Sequence, residues 1–266
     1  MENNVARFKR DFESYVEATS QAVELALRDR DYADLKQWTK DERATIEARN
    51  QACVTFDYCR EQLDYLLGME ADNRADPKAY PRTQKHTGAA DAATDAIRYV
   101  CDSADFANTS AECFDNLLVE GIEACIVEVE ESNGGYEIIP RRIDFDRFYF
   151  DPHSRRRDFS DAQFLGMVAW LDVEDAVRMY RGQRRGISQE IRDAVSGEEI
   201  GDYAEDKPSW IDPKRKRIRV CQTYYKENGE WWVCHFSGDL ELVSPRKSPY
   251  LDDDGNPDCP IVAMSC

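Results

Sequence analysis

The side chains with the most chemical potential are nine cysteines, three histidines, an Asp-Asp-Asp-Gly run and two short basic clusters. Their spacing decides what each can do. The cysteines, at positions 53, 59, 101, 113, 125, 221, 234, 259 and 266, include no C-x-x-C pair. A zinc site needs paired ligands at short spacing, and the separation of Cys221 from Cys234 fits one poorly. Most of these thiols fall at apolar positions of expected helices or strands, which reads as buried, reduced cysteines of a cytosolic protein. His86, His153 and His235 lie far apart, none with a second ligand at helical spacing, so each reads as structural or solvated. Asp252, Asp253 and Asp254 precede Gly255. An EF-hand-type calcium loop would want an acid where Tyr250 stands and a glutamate beyond the glycine, so Asp-Gly-Asn-Pro reads as a turn.

No glycine-rich loop ends in Lys-Ser or Lys-Thr, and neither GxSxG nor HExxH occurs. The 53 acidic residues allow many carboxylate pairs, but none has a spacing diagnostic of acid/base work, and a solvated helix face accounts for them. No catalytic residue, cofactor-binding residue or metal ligand is therefore assigned. Arg155-Arg156-Arg157 is expected in a loop, and Lys214 to Arg217 at the start of a strand. Both read first as solvated or paired, with phosphate or an acidic neighbour as the alternative contact.

The elements that position these residues follow from periodicity. Phe8, Phe12, Tyr15, Val16, Thr19, Val23, Ala26 and Leu27 repeat at helical spacing, and a turn is expected over 29–38. A second helix is expected from Lys40 to Leu67, capped by Gly68, then an extended loop over 71–83. A third is expected over 88–106 with an inward stripe of Ala93, Ala96, Ile97, Val100, Cys101 and Ala104. A fourth is expected to start at a Thr109/Glu112 capping box, with Phe114, Leu117 and Leu118 inward and Gly121 closing it.

Alternation then takes over. Residues 124–130 and 136–145 flank Asn133-Gly134-Gly135, a hairpin signal, and short strands are expected at 146–152 and 162–171. Asp172 should cap a short helix that buries Ala176, Val177 and Tyr180. A loop with one short helix near Ile191 should fill 181–213. Residues 216–225 should present Ile218, Val220 and Tyr224 to one side, with Arg217 and Arg219 on the other. Asn228-Gly229 should turn the chain into 230–236, where Trp231 and Trp232 face opposite ways. A turn-rich excursion over 248–260 and a strand at the IVAMSC end complete the reading. The fold class is α+β: N-terminal amphipathic helices followed by a mainly antiparallel β region.

The chain has 266 residues, 42% hydrophobic and 33% charged, with a formal net charge of −18. That length suits one large domain or two small ones. The balance lacks the basic footprint of a protein that grips DNA phosphates, leaving either no contact with nucleic acid or a wall past which DNA slides. Met1 to Arg10 is polar and charged, unlike a secretory signal, and no apolar run approaches a membrane span.

The runs at 44–83 and 91–102, and most of all PRRIDFDRFYFDPHSRRRDFSDAQFLGMVAWLDVEDAVRMY at 140–180, resemble the N-terminal region of portal proteins from short-tailed phages. The most specific part is FDPHS followed by FSDA and an apolar strand ending in Trp-Leu-Asp. The resemblance implies a structural, non-enzymatic subunit of a dodecameric ring at one capsid vertex. Double-stranded DNA passes through such a ring, which nucleates head assembly with scaffolding protein. It docks the terminase, whose large subunit hydrolyses ATP, and later binds head-completion or tail proteins. It implies residence in the virion, after assembly in the host cytoplasm, with no membrane contact. Two departures accompany it: Leu35 stands where glycine is expected, and the sequence stops at Cys266, before the stem helices and clip. On this reading 1–121 is the helical part of the wing and 122–266 its β-rich part. The competing readings are a metal-dependent enzyme with an acidic site, such as a nuclease, and a small acidic DNA-mimic or binding module.

Overall fold

A computed structural model describes residues 4–132, 134–197 and 209–266. The chain divides into two compact units, one made of 1–21 with 146–262 and the other of 22–145 with 263–266. Helices lead and antiparallel strands follow, as the α+β expectation has it.

The first unit is built on a sheet of order β3-β4-β6-β7-β8, with β5 beside β6. These strands are β3 (Phe148–Phe150), β4 (Phe164–Asp172), β5 (Ile211–Asp212), β6 (Arg217–Glu227), β7 (Glu230–Ser237) and β8 (Leu240–Lys247). Asn228 and Gly229, with φ of 53° and 84°, make the left-handed turn that joins β6 to β7. Both faces of the sheet are covered. On one, the start of α1 (Asn4–Ala33) buries Val5, Phe8, Phe12 and Tyr15 against Tyr149, Phe164, Tyr225 and Phe236. On the other, α6 (Val173–Tyr180) and α7 (Ile187–Gly197) pack Ala176, Val177, Tyr180, Ile187 and Ile191 on Ile218, Val220, Leu242 and Val243. Each large side chain so buried contributes about 1.5–3 kcal/mol.

Double coverage corrects the reading of β6. Cys221, Thr223 and Tyr225 are as buried as Ile218, Val220 and Tyr224, and Arg219 lies half-buried with its guanidinium 4.8 Å from the Trp170 ring centre. Trp232 joins the core while Trp231 stacks beneath the Lys226 ammonium, so the two tryptophans do face opposite ways. Gly166 is fixed by packing: Tyr149 lies across it from the adjacent strand, and a Cβ would land inside that ring. Strand β8 is an element that the sequence reading missed. The part of the expected 181–213 loop at 198–208 lies outside the described residues.

The second unit holds the rest of α1, then α2 (Lys40–Ala48), α3 (Tyr58–Asn73), α4 (Thr87–Ser103) and α5 (Phe106–Glu120). Beside them lies a sheet of order β2-β1-β9, from β1 (Ile122–Ser132), β2 (Gly135–Ile143) and β9 (Ile261–Ser265). Several expectations need correction. Helix α1 runs to Ala33 through the expected turn. The single helix over 40–67 is two, broken by Asn50 in the left-handed region (φ 53°) and seven residues without regular structure. Gly68 is interior to α3, which ends where Arg74 turns extended before Pro77. Thr109 is inside α5, and Asp105 (φ 49°) makes the break from α4. The working capping box is Thr39 with Glu42, and the Gly121 C-cap stands where expected. Leu35 adopts the left-handed conformation (φ 61°) that glycine would take, closing α1 through Lys36 N–H to Asp31 C=O at 2.7 Å.

Helix and sheet meet largely through small side chains: Ala26, Ala33, Ala90, Ala124 and Ala263 are buried, with Cys113, Ile126 and Ile143 the larger ones. Arg30 ties α1 to α5, donating to Asp115 at 2.7 Å and Glu120 at 2.8 Å. Burial pushes the Glu120 carboxyl upward although Arg30 pulls the other way. Of the expected inward stripe, Ala93, Ala96 and Ile97 are exposed and Val100, Cys101 and Ala104 half-buried, while the buried positions of α4 are Ala90 and Thr94. Phe114, Leu117 and Leu118 of α5 are only half-buried, and Leu27 is exposed.

Candidate functional site

The loop from Asp151 to Gln163, between β3 and β4, carries the most specific sequence motif and also three consecutive arginines. Its acids are fully engaged in holding the backbone. The Asp151 carboxylate accepts the His153 N–H at 2.9 Å and the Gln163 N–H at 3.1 Å, closing both ends of the loop. Asp161 accepts the Ser154 hydroxyl at 2.6 Å and the amides of Arg155 (2.8 Å) and Arg156 (3.3 Å). The Ser154 hydroxyl, then these amides, hold the Asp161 carboxyl down at about 2. Phe159 sits in the left-handed region (φ 52°), unusual for an aromatic residue, with its ring 5.8 Å from that of Phe148 and 4.7 Å from that of Phe150. This loop is over-determined, and its carboxylates are structural acceptors. Arg155, Arg156 and Arg157 all point to solvent. Arg156 approaches Asp158 at 3.5 Å, while Arg155 and Arg157 have no ion-pair partner among the described residues.

The second basic run sits at the β5–β6 turn, where Lys216 has φ 52°. Here the two arginines are paired: Arg217 meets Asp172 at 3.0 Å and Arg215 meets Asp212 at 3.9 Å. Asp172, Arg215 and Lys216 border a cleft of about 520 Å³ that also holds the Arg192–Glu174 pair at 2.9 Å. Its Arg192 and Arg215 are each met by a carboxylate, which leaves Lys216 as the lining cation without an ion-pair partner among the described residues. Asp172, expected as the cap of α6, makes no side-chain cap bond and serves Arg217 instead.

The remaining candidates are dispersed. His235 is half-buried on β7, its Nδ1 3.0 Å from the Tyr180 hydroxyl, and desolvation lowers its pKa to about 4. His86 and His153 are exposed. All nine cysteines are free thiols. Burial raises Cys221 and Cys234, and Cys113 lies against Cys125, whose thiol it pulls down through a hydrogen bond. The Asp252 carboxylate accepts the amides of Asp254 (2.9 Å) and Asn256 (2.7 Å), a turn closed on itself. Among the described residues no group of three or more His, Cys, Asp or Glu side chains is placed to hold a metal ion. No helix there is long and apolar enough to cross a membrane.

What the second unit offers is surface. Phe56, Tyr58, Tyr65, Tyr80, Ile97, Tyr99, Val129, Tyr136 and Ile138 are exposed. These large apolar groups are spread over the segment before α3, α3 itself, the stretch before α4, α4, and the β1–β2 pair. Of these residues the sequence reading singled out Ile97, and as inward, because a stripe of apolar positions reads alike whether it meets its own chain or another.

No curated protein matches the chain. A family profile described as phage P22-like portal protein matches residues 9–230, from the first turns of α1 to the start of β7 and so through both units. With most of its length in that match, including the arginine loop and the exposed helices, the chain belongs to the P22-like phage portal protein family, as a structural portal subunit.

Proposed function

We propose that this chain is a wall element of an oligomeric portal ring, set at one capsid vertex around the channel by which double-stranded DNA enters and leaves the head. The family match over 9–230 carries this reading. The charge supports it physically: a surface with a net charge of −18 repels phosphate, so DNA slides past without the counterion release that would hold it. The loop acids support a catalytically inert role, since Asp151 and Asp161 are occupied by backbone and hydroxyl donors. Residues 1–121 and 122–266 would be the helical and β-rich parts of the ring's wing. The ring would have twelve copies, assemble in the host cytoplasm with scaffolding protein, receive the terminase large subunit during packaging, and bind head-completion or tail proteins afterwards.

The experiment is vertex labelling. Virions assembled with an epitope-tagged copy of the protein are decorated with gold-conjugated antibody and imaged. Label at one vertex per head is the expected result. Label spread over all faces, or confined to the soluble fraction, would contradict the reading.

A further inference from the structure

The outer half of the β1–β2 ribbon looks built to meet something basic. Its inner half is covered, with Ala124, Ile126, Pro140 and Ile143 buried. Farther out the register pairs Val129 with Ile138 and Glu131 with Tyr136, so these four share one face. On that face Val129 is 50% exposed and Tyr136 is 81% exposed. The opposite face carries Glu128, Glu130 and Glu137, with Glu130 directly across from Glu137, a like-charge pair that weakens a ribbon. Arg141 bridges Glu128 and Glu130 but leaves Glu131 and Glu137 unmatched among the described residues. A two-stranded ribbon uncovered on both faces is marginal in water, and the outer stretch 128–139 carries no Lys, Arg or His, so Arg141 at its base is the cation it draws on among the described residues. From Tyr99 to Pro140 the sequence holds ten acids and no Lys, Arg or His.

The complementary element is on the same chain. Arg155 and Arg157 are exposed and unpaired on a loop whose backbone is clamped by Asp151 and Asp161 and which keeps Phe159 in a strained conformation. Strain maintained by such over-determination points to a shape that is needed for contact. We infer that the acidic ribbon tip of one copy receives the arginine loop of the next, with Glu131 and Glu137 pairing Arg155 and Arg157 and a guanidinium stacking on Tyr136. An arginine suits this role because its planar head both forks onto carboxylate and lies on an aromatic face. The occupant is a second copy of this chain, because the two unmatched halves, one acidic and aromatic and one basic, then satisfy each other head to tail. Such a heterologous contact is the kind that closes into a ring. This inference rests on the proposed ring and names the elements that join its subunits.

The test is a charge exchange read by sedimentation equilibrium of the full chain. Arg155→Glu with Arg157→Glu weakens self-association by about ten-fold or more, as does Glu131→Arg with Glu137→Arg, and mixing the two variants restores it to within about three-fold of the parent. The substituted positions are exposed, and unchanged circular dichroism spectra would confirm folding. If the parent associates and both reversals leave association unchanged, the inference fails while the ring reading stands. If the parent is monomeric at every concentration, the ring reading fails and takes the inference with it. If the arginine reversal abolishes binding of a labelled DNA duplex while self-association is unchanged, the loop serves phosphate and the inference is overturned.

Discussion

The two compact units solve the same problem in opposite ways. The first, 1–21 with 146–262, puts its large apolar side chains between helix and sheet on both faces of one sheet, with Phe148, Tyr149, Phe236 and Leu242 almost fully enclosed. The second, 22–145 with 263–266, buries alanines, joins helices through the Arg30–Asp115–Glu120 cluster, and leaves most of its large apolar groups in solvent. Charge divides likewise: 26 acidic against 14 basic residues in the second unit, 27 against 21 in the first. The difference teaches that one chain can carry both a unit that closes its own core and a unit that leaves large apolar groups exposed, as the proposed ring would require.

That contrast can be broken or sharpened by substitution. Phe236→Ala, which empties a site in the doubly covered sheet, should cost about 4 kcal/mol in urea unfolding of the first unit. A cost under about 1 kcal/mol would mean that its core is not closed. Arg30→Met should cost the second unit about 3 kcal/mol, because Glu120, 4% exposed at its side chain, loses its counter-charge. Melting curves that overlay the parent would deny the ion cluster its role.

His235 brings in pH. Its pKa is about 4 in the fold against an ordinary value near 6.5, so between those values the unfolded chain binds the extra proton. The stabilisation is complete above about 6.5 and is lost as pH falls toward 4, amounting to about 3 kcal/mol. His235→Gln should flatten that part of the pH–stability profile, and an unchanged slope would reassign it to other groups. Leu35→Gly should stabilise the protein by about 1 kcal/mol, since the left-handed turn then carries no Cβ penalty. Tyr136→Ser should shift the melting of the isolated chain by less than about 0.5 kcal/mol, as expected for an exposed side chain. A large loss would show that the ribbon tip supports its own unit.

Much of the first unit was legible because local turn chemistry and alternation agreed. Asn228-Gly229 fixed a hairpin, and the burial of Ala176, Val177 and Tyr180 followed from helical spacing. Strand β8 escaped although Gly238 (φ 56°) turns the chain into it, a signal that could have been read as a hairpin like the one before. In the second unit helical periodicity misled. The stretch 40–67 reads as one helix, while Asn50, which tolerates a left-handed φ, and the Val54-Thr55-Phe56 run after it were the available clues to a break. The α4 stripe was read as inward because pattern reports apolarity and not the partner. The arginine run was visible in sequence. The role of Asp151 and Asp161 in clamping it was not, since it depends on carboxylates reaching backbone amides across the loop.

Hydrogen–deuterium exchange of the separated monomer and the assembled ring tests the central claim most directly. Assembly should protect amides of the second unit beside its exposed apolar side chains, around Phe56–Tyr58, Ile97–Tyr99 and Val129–Ile138. Strands β4, β6 and β7 should exchange at the same slow rate in both forms. Assembled particles in which those three segments exchange as fast as in the monomer, or in which the core strands of the first unit gain the protection instead, would contradict it.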